Sequence, residues 1–165
     1  VIPIKPMFAG LPQRTGSRLF MDWDFVDRLK ETTSMKLVLK GIVTEEDAKL
    51  AIEHGVDGVI VSNHGGRAED SGRSTIESLP EVVDAIGGSM PVIVDSGFRR
   101  GTDIIKALAI GADAIAIGRP YLWGLGAFGQ EGVETVLDIL QRELEIVMRQ
   151  ASTTRIDDIS RSLIA

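Results

Sequence analysis

The sequence predicts an α/β fold: the last four βα units of an eight-stranded (β/α) barrel, on three observations. Short β-branched apolar runs alternate with helical patterns, the signature of a parallel sheet covered by helices. The alternation repeats internally. Gly55-Val56-Asp57-Gly58-Val59-Ile60-Val61 matches Gly111-Ala112-Asp113-Ala114-Ile115-Ala116-Ile117 at an offset of 56, and Met35-Lys36-Leu37-Val38-Leu39 echoes Met90-Pro91-Val92-Ile93-Val94 at 55. A period of that length fits two successive βα units. Finally, each strand runs into glycines and charged residues at its carboxyl end, where parallel α/β folds carry their chemistry. A small open parallel sheet is the alternative that the pattern leaves open.

Residues 1–20 contain Pro3, Pro6, Gly10, Pro12 and Gly16 without periodicity and read as a loop. The chain opens on Val1 rather than methionine, which fits a fragment or a processed product, and residues 21–165 read as the half-barrel. Asp22 or Asp24 can cap a helix over Phe25–Thr33, with Phe25, Val26 and Leu29 on one face. A strand follows at Leu37–Lys40, then a helix over Thr44–His54, where Thr44 and Asp47 give a capping signal. Gly58–Val61 reads as strand, Ser78–Ile86 as helix and Val92–Asp95 as strand. Thr102–Ile110 reads as helix and Ala114–Ile117 as strand. The longest helix is expected over Glu131–Ala151, with Val133, Val136, Leu137, Leu140, Leu144 and Val147 on its apolar side. Arg155–Ala165 reads as a short surface segment.

Bulk composition narrows the function classes. The chain has 165 residues, 44% hydrophobic and 25% charged, as a globular domain requires. A net charge of −6 argues against general nucleic-acid binding, which needs a basic surface to displace counterions. The absence of cysteine excludes disulfides and thiolate metal sites and is compatible with a reducing compartment, so a cytoplasmic or otherwise intracellular location is expected. No apolar run reaches the roughly 18–20 residues that span a bilayer. The most apolar region, Ala107 to Gly129, is broken by Asp113 and Arg119.

The strand ends supply the candidate chemistry. Lys40-Gly41 follows the first strand; a lysine closing an apolar strand needs an anionic or electron-rich partner. Ser62-Asn63-His64-Gly65-Gly66-Arg67 follows the second and sets a proton-transfer group three residues from a carboxylate-binding group. Asp95-Ser96-Gly97-Phe98-Arg99-Arg100-Gly101 and Gly118-Arg119-Pro120 follow the third and fourth. Glycines, helix starts and arginines in those two loops suit a phosphate. Taken singly, each motif has a plainer explanation. A histidine in a glycine-rich turn can simply bond the backbone, and a lone arginine is usually solvated. His54 at a helix end is given no function, Trp23 and Trp123 read as packing residues, and Glu69-Asp70 reads as a polar loop.

Together, Lys40, Ser62 to Arg67, Asp95 to Asp103 and Gly118-Arg119-Pro120 resemble the FMN-dependent 2-hydroxy-acid dehydrogenases and oxidases, in order and in spacing, from about Trp23 to Ala165. The resemblance implies a TIM barrel with FMN as cofactor and no metal. It implies that Lys40 sits near the flavin N1 and C2 carbonyl and stabilises reduced flavin, and that Ser62 bonds the flavin edge. His64 would be the base and Arg67 the partner of the substrate carboxylate, with His64 taking either the hydroxyl proton during hydride transfer or the α-proton. Asp95, Ser96, Gly97, Phe98 and Arg99 would hold the ribityl chain and phosphate, completed by Gly118 and Arg119. The implied reaction converts an (S)-2-hydroxy acid, such as glycolate, lactate or mandelate, to the 2-oxo acid. The implied partners are the small acid, the N-terminal half of the same barrel and, by analogy, further copies in a tetramer, while membrane association stays open.

The remaining strands of such a barrel would supply further FMN contacts, the tyrosines and second arginine that grip the substrate, and the aspartate that orients the histidine. Residues 1–20 would then belong to a mobile loop covering the site. One alternative belongs to another class: a half-barrel that binds FMN or phosphate and needs a partner chain, with no turnover of its own. Inner faces of Val38, Ile60, Ile93 and Ile115 would need covering in either case. The chain also departs locally from the family pattern at Ala68-Glu69, beside the substrate arginine, where relatives carry glutamine and leucine.

Overall fold

The computed structural model describes residues 21–68 and 71–164. The loop expected over residues 1–20 and the Glu69-Asp70 pair lie outside the described residues. The chain divides into two compact units, Val1–Met35 and Lys36–Ala165. In the first, helix α1 (Trp23–Thr32) is capped by Asp22, whose Oδ1 accepts from the Phe25 N–H at 2.9 Å. Asp24 lies in the first turn, where its charge complements the helix dipole.

The second unit alternates strand and helix: β1 (Val38–Ile42), α2 (Glu45–Glu53), β2 (Gly58–Val61), α3 (Thr75–Ile86), β3 (Val92–Val94), α4 (Gly101–Ile110), β4 (Ala114–Ile115) and α5 (Arg119–Gln150). Short 3₁₀ turns at Ile156–Asp158 and Arg161–Leu163 follow. The strands form one parallel sheet in the order β1-β2-β3-β4. Parallel neighbours in chain order are the arrangement that successive βα crossovers produce.

The core lies between sheet and helices. Val59, Val61, Val92 and Val94 are at most 3% exposed; β2 and β3 pack against α3, whose Leu79, Val82 and Ile86 are buried, and Ala107 of α4 is buried as well. The other sheet face carries Lys40, Ile60, Ile93 and Ala114, which are aligned across the four strands. Ile115 does not belong to that face, contrary to expectation: it pairs with Val94 and shares the helix-facing side. The period of two along a strand makes that a matter of register alone.

The internal repeat has a structural basis. Asp57 accepts from the Leu37 N–H through Oδ2 at 2.9 Å, and its own N–H donates to the Leu37 carbonyl at 2.8 Å. Asp113 does the same to Val92, at 2.7 and 2.8 Å. Each aspartate, opening one strand, satisfies the backbone of the strand before it. The repeated Gly-x-Asp is therefore a strand-pairing device.

Several element limits shift from expectation. Strand β1 continues through Gly41 to Ile42, with a break in register between Lys40 and Ile42 where Gly41 takes φ +110°. Helix α3 starts three residues before the expected Ser78, at Thr75, because the Glu77 carboxylate accepts from both the N–H and the hydroxyl of Ser74 at 2.7 Å. Helix α5 begins at Arg119, not Glu131, and bends at Phe128 and Gly129, the latter at φ +62°. The bend brings Gly124 and Gly132 into backbone contact, where a Cβ on either would fall on the other's carbonyl. Of the apolar side expected on α5, Leu140 is buried but Leu137 is half exposed.

Candidate active site

The carboxyl ends of the four strands meet in a cleft of about 340 Å³ lined by Lys40, His64, Gly65, Arg67, Asp95, Ser96, Gly97, Gly118 and Arg119, together with Ile117 and Leu122. Strand parity places Lys40, Ser62 and Asp95 on the same face, opposite the helices, because they continue the inner positions of β1, β2 and β3. Lys40 Nζ donates to Ser62 Oγ at 2.6 Å and lies 3.0 Å from Asp95 Oδ2. The buried Ser62 hydroxyl also accepts from the His64 N–H at 3.2 Å. Burial, the largest influence on Asp95, pushes its carboxyl up. Hydrogen bonds from Ser62, Ser96 and Lys40, with the charge of the ammonium, outweigh it and hold the carboxyl below its ordinary value.

The turn after β2 is built around the Asn63 side chain, whose Oδ1 accepts from the N–H groups of Gly65 and Gly66, both at 3.1 Å. This is an Asx turn, the local bond that asparagine makes with backbone two and three residues on. Within it His64 takes φ +55°, a left-handed conformation uncommon for a side chain with a Cβ. The imidazole rides over Gly41, where a Cβ would stand 3.3 Å from His64 Cε1. Arg67 Nε donates to the His64 carbonyl at 3.2 Å, folding the guanidinium back over the same turn. From the fourth strand end, Arg119 Nη2 donates to the Gly65 carbonyl at 3.1 Å.

After β3, Ser96 Oγ donates to Asp95 Oδ1 at 2.7 Å and accepts from the Gly65 N–H at 3.1 Å. Asp103 in the first turn of α4 accepts from the N–H groups of Arg99 and Arg100, both at 2.9 Å. Gly97 and Gly118 leave open space where a Cβ would be, so their backbone is accessible from the cleft. The Phe98 side chain is 4% exposed and belongs to the core rather than to the cleft. Arg99 Nη1 donates to the Phe98 carbonyl at 2.6 Å, and its guanidinium lies 4.9 Å from the centroid of the Trp123 ring. Trp123 is 59% exposed and serves as a platform for that arginine, not as the packing residue expected.

The structure thus brings Lys40, Ser62, His64, Arg67, Asp95, Ser96, Gly97, Gly118 and Arg119 to one cleft. It sets Phe98 behind that cleft and turns Arg99 towards α5. Gly41, Thr75 and Trp123 are site-supporting residues that sequence reasoning missed. Thr75 had a usable signal, since Ser74 and Glu77 stand at capping-box spacing and mark a helix start there. Gly41 and Trp123 had none, because their contacts lie on elements far away in sequence.

The description of the FMN-dependent dehydrogenase family matches residues 9–165. Among curated relatives, a peroxisomal (S)-2-hydroxyacid oxidase of Arabidopsis thaliana is 46% identical over 96% of this chain and 45% of its own length. An L-lactate oxidase of Lysinibacillus sphaericus is 50% identical over 84% of this chain and 36% of its own. Among solved structures, a lactate oxidase of Pediococcus acidilactici superposes with a TM-score of 0.82 at 43% identity, over 86% of this chain and 39% of that one. A mandelate oxidase gives 0.81 at 41% identity, over 85% and 42%. The chain spans less than half the length of these relatives. It is an α/β piece of their TIM barrel and belongs to the FMN-dependent dehydrogenase family, an oxidoreductase family whose cofactor is FMN.

Proposed function

We propose that this chain forms one half of an active site that oxidises a small (S)-2-hydroxy acid to the 2-oxo acid. The remaining strands would come from the rest of the same barrel. The observation that carries the reading is the convergence of His64, Arg67 and Lys40 on one cleft with the glycine backbone of Gly97 and Gly118. The names of the relatives, hydroxyacid oxidase and lactate oxidase, support the substrate class.

The residues present fit FMN. Open backbone at Gly97 and Gly118 and the Arg119 guanidinium at the start of α5 suit a phosphate dianion. The Lys40 ammonium, on the inner face, favours negative charge on an adjacent ring. Bound there, FMN supplies the two-electron acceptor.

The chain's own residues do the rest. Arg67 binds the substrate carboxylate; because its Nε is committed to the His64 carbonyl, the two-pronged bond uses the Nη1–Nη2 edge. That bond sets the hydroxyl-bearing carbon beside His64, whose imidazole accepts the proton that leaves as the C–OH becomes C=O. The Asx turn at Asn63 and the glycine at position 41 fix the imidazole's place, so the geometry is set before substrate arrives.

The test is made on the whole polypeptide that carries this chain, loaded with FMN and mixed anaerobically with glycolate, lactate or mandelate. Bleaching of the flavin absorbance by one of them is expected, slowed about 10²–10⁴-fold in His64→Ala, as for loss of a general base. A bound flavin whose spectrum no 2-hydroxy acid changes would establish the binding half-barrel instead.

A further inference from the structure

The third strand end contains a residue that backbone energetics alone would replace. Ser96 sits at φ +71°, a left-handed conformation that glycine adopts freely and that costs a side chain of this kind about 1 kcal/mol or more. Its immediate neighbour Gly97, at φ +92°, already has the residue type such a turn favours. What the serine adds is its hydroxyl. That group donates to Asp95 Oδ1 at 2.7 Å and accepts from the Gly65 N–H at 3.1 Å, so it spans from the end of β3 to the turn after β2.

The anchor is firm on both sides. Behind the turn, the hydroxyl of Thr75, 2% exposed, donates to the carbonyls of Asp95 at 2.6 Å and Ser96 at 3.1 Å, pinning the strained peptide to the first turn of α3. In front, Asp95 is tied to Lys40 and Ser62. The other acceptor for the Gly65 N–H, Asn63 Oδ1, lies within the same turn and cannot place that turn relative to its neighbours. Ser96 can, because it belongs to a different strand end.

We propose that Ser96 is a positioning residue for 2-hydroxy-acid oxidation. Its hydroxyl, held on Asp95, sets the height of the His64–Arg67 turn over the cleft through the Gly65 N–H. The inference rests on the function proposed above for that cleft. It separates the two effects of the side chain: an unfavourable φ that costs stability, and a cross-loop bond that serves catalysis.

Three variants of the whole FMN-loaded polypeptide test it. Ser96→Gly relieves the backbone and removes the bond; its Tm is expected at or above that of the wild type while kcat/KM falls about tenfold, the size of one lost hydrogen bond. Ser96→Ala loses the bond and keeps the strain, so both quantities fall. Ser96→Asn, which tolerates the left-handed region and offers a carbonyl oxygen and an amide, recovers most of the activity. A residue with a merely structural role would move activity and Tm together; opposite changes in Ser96→Gly mark positioning. Independently of turnover, amide exchange at Gly65 is expected to quicken about tenfold in Ser96→Gly, by loss of one acceptor. Wild-type kcat/KM or wild-type exchange at Gly65 in that variant would overturn the inference. If His64→Ala is inactive while Ser96→Gly is normal, only this inference fails; if His64→Ala turns over normally, the function reading itself fails.

Discussion

At the Asp95 carboxylate, burial and hydrogen bonding oppose one another, and hydrogen bonding wins. The consequence for stability has a definite sign. A carboxyl whose native value lies below its unfolded value contributes stability that is complete above the ordinary carboxylate range and is lost as pH falls through the lower native value. Urea unfolding between about pH 3 and pH 6 should therefore show stability falling towards acid, with a shallower slope in Asp95→Asn. An identical slope in the variant would mean that the Lys40–Asp95 pair is too solvated to matter. Lys40, Ser62 and Asp95 are legible in the sequence because each closes or follows an apolar strand at an inner position, and His64 and Arg67 because the glycine-rich turn that carries them directly follows β2. Trp123 was not, since nothing in its neighbours' spacing shows that Arg99 lies against its ring.

Among the elements, α5 departs furthest from its sequence pattern. Its apolar periodicity suggested a start at Glu131, yet the helix runs from Arg119 through a bend at Phe128–Gly129. The bend needs two glycines facing each other, Gly124 and Gly132, with carbonyls where side chains would be. Gly132→Ala should force the two segments apart and cost about 1–3 kcal/mol, read as a Tm lower by several degrees. An unchanged Tm would show that the bend can open freely. The later part of α5 is held to α4 in the same close manner. Gly101 abuts the Glu143–Leu144 backbone, and Glu143 accepts from the Gly101 N–H at 2.9 Å and from Arg100 Nε at 3.0 Å. These two bonds, the backbone one first, hold the Glu143 carboxyl below its ordinary value. Such glycines read as turn residues in sequence; only the partner backbone reveals them as contact points.

For the whole molecule the controlling fact is the uncovered sheet face. Val38 is 42% exposed and the Lys40 side chain equally so, although both project from the sheet side that a closed barrel buries. Lys36–Ala165 therefore presents an apolar face edged by charge, and a sheet in that condition associates. Produced alone, this chain is expected to sediment as oligomers or aggregates, and co-production with the rest of the barrel should recover a discrete FMN-binding species. A monodisperse monomer of the chain alone, melting cooperatively, would contradict that. Among the described residues no helix is long and apolar enough to cross a membrane.

The sequence by itself determined the order of strands and helices, the half-barrel repeat and the cluster of site residues at the strand ends. Those features follow from local periodicity and from the Gly-x-Asp signal that each βα unit repeats. Only the tertiary structure decided which face Ile115 takes, where α5 bends and which neighbouring strand end the His64 turn is bonded to. Register, backbone contact between glycines and a hydroxyl reaching from one strand end to the next depend on residues distant in the chain. Their energies arise only once the strands lie side by side.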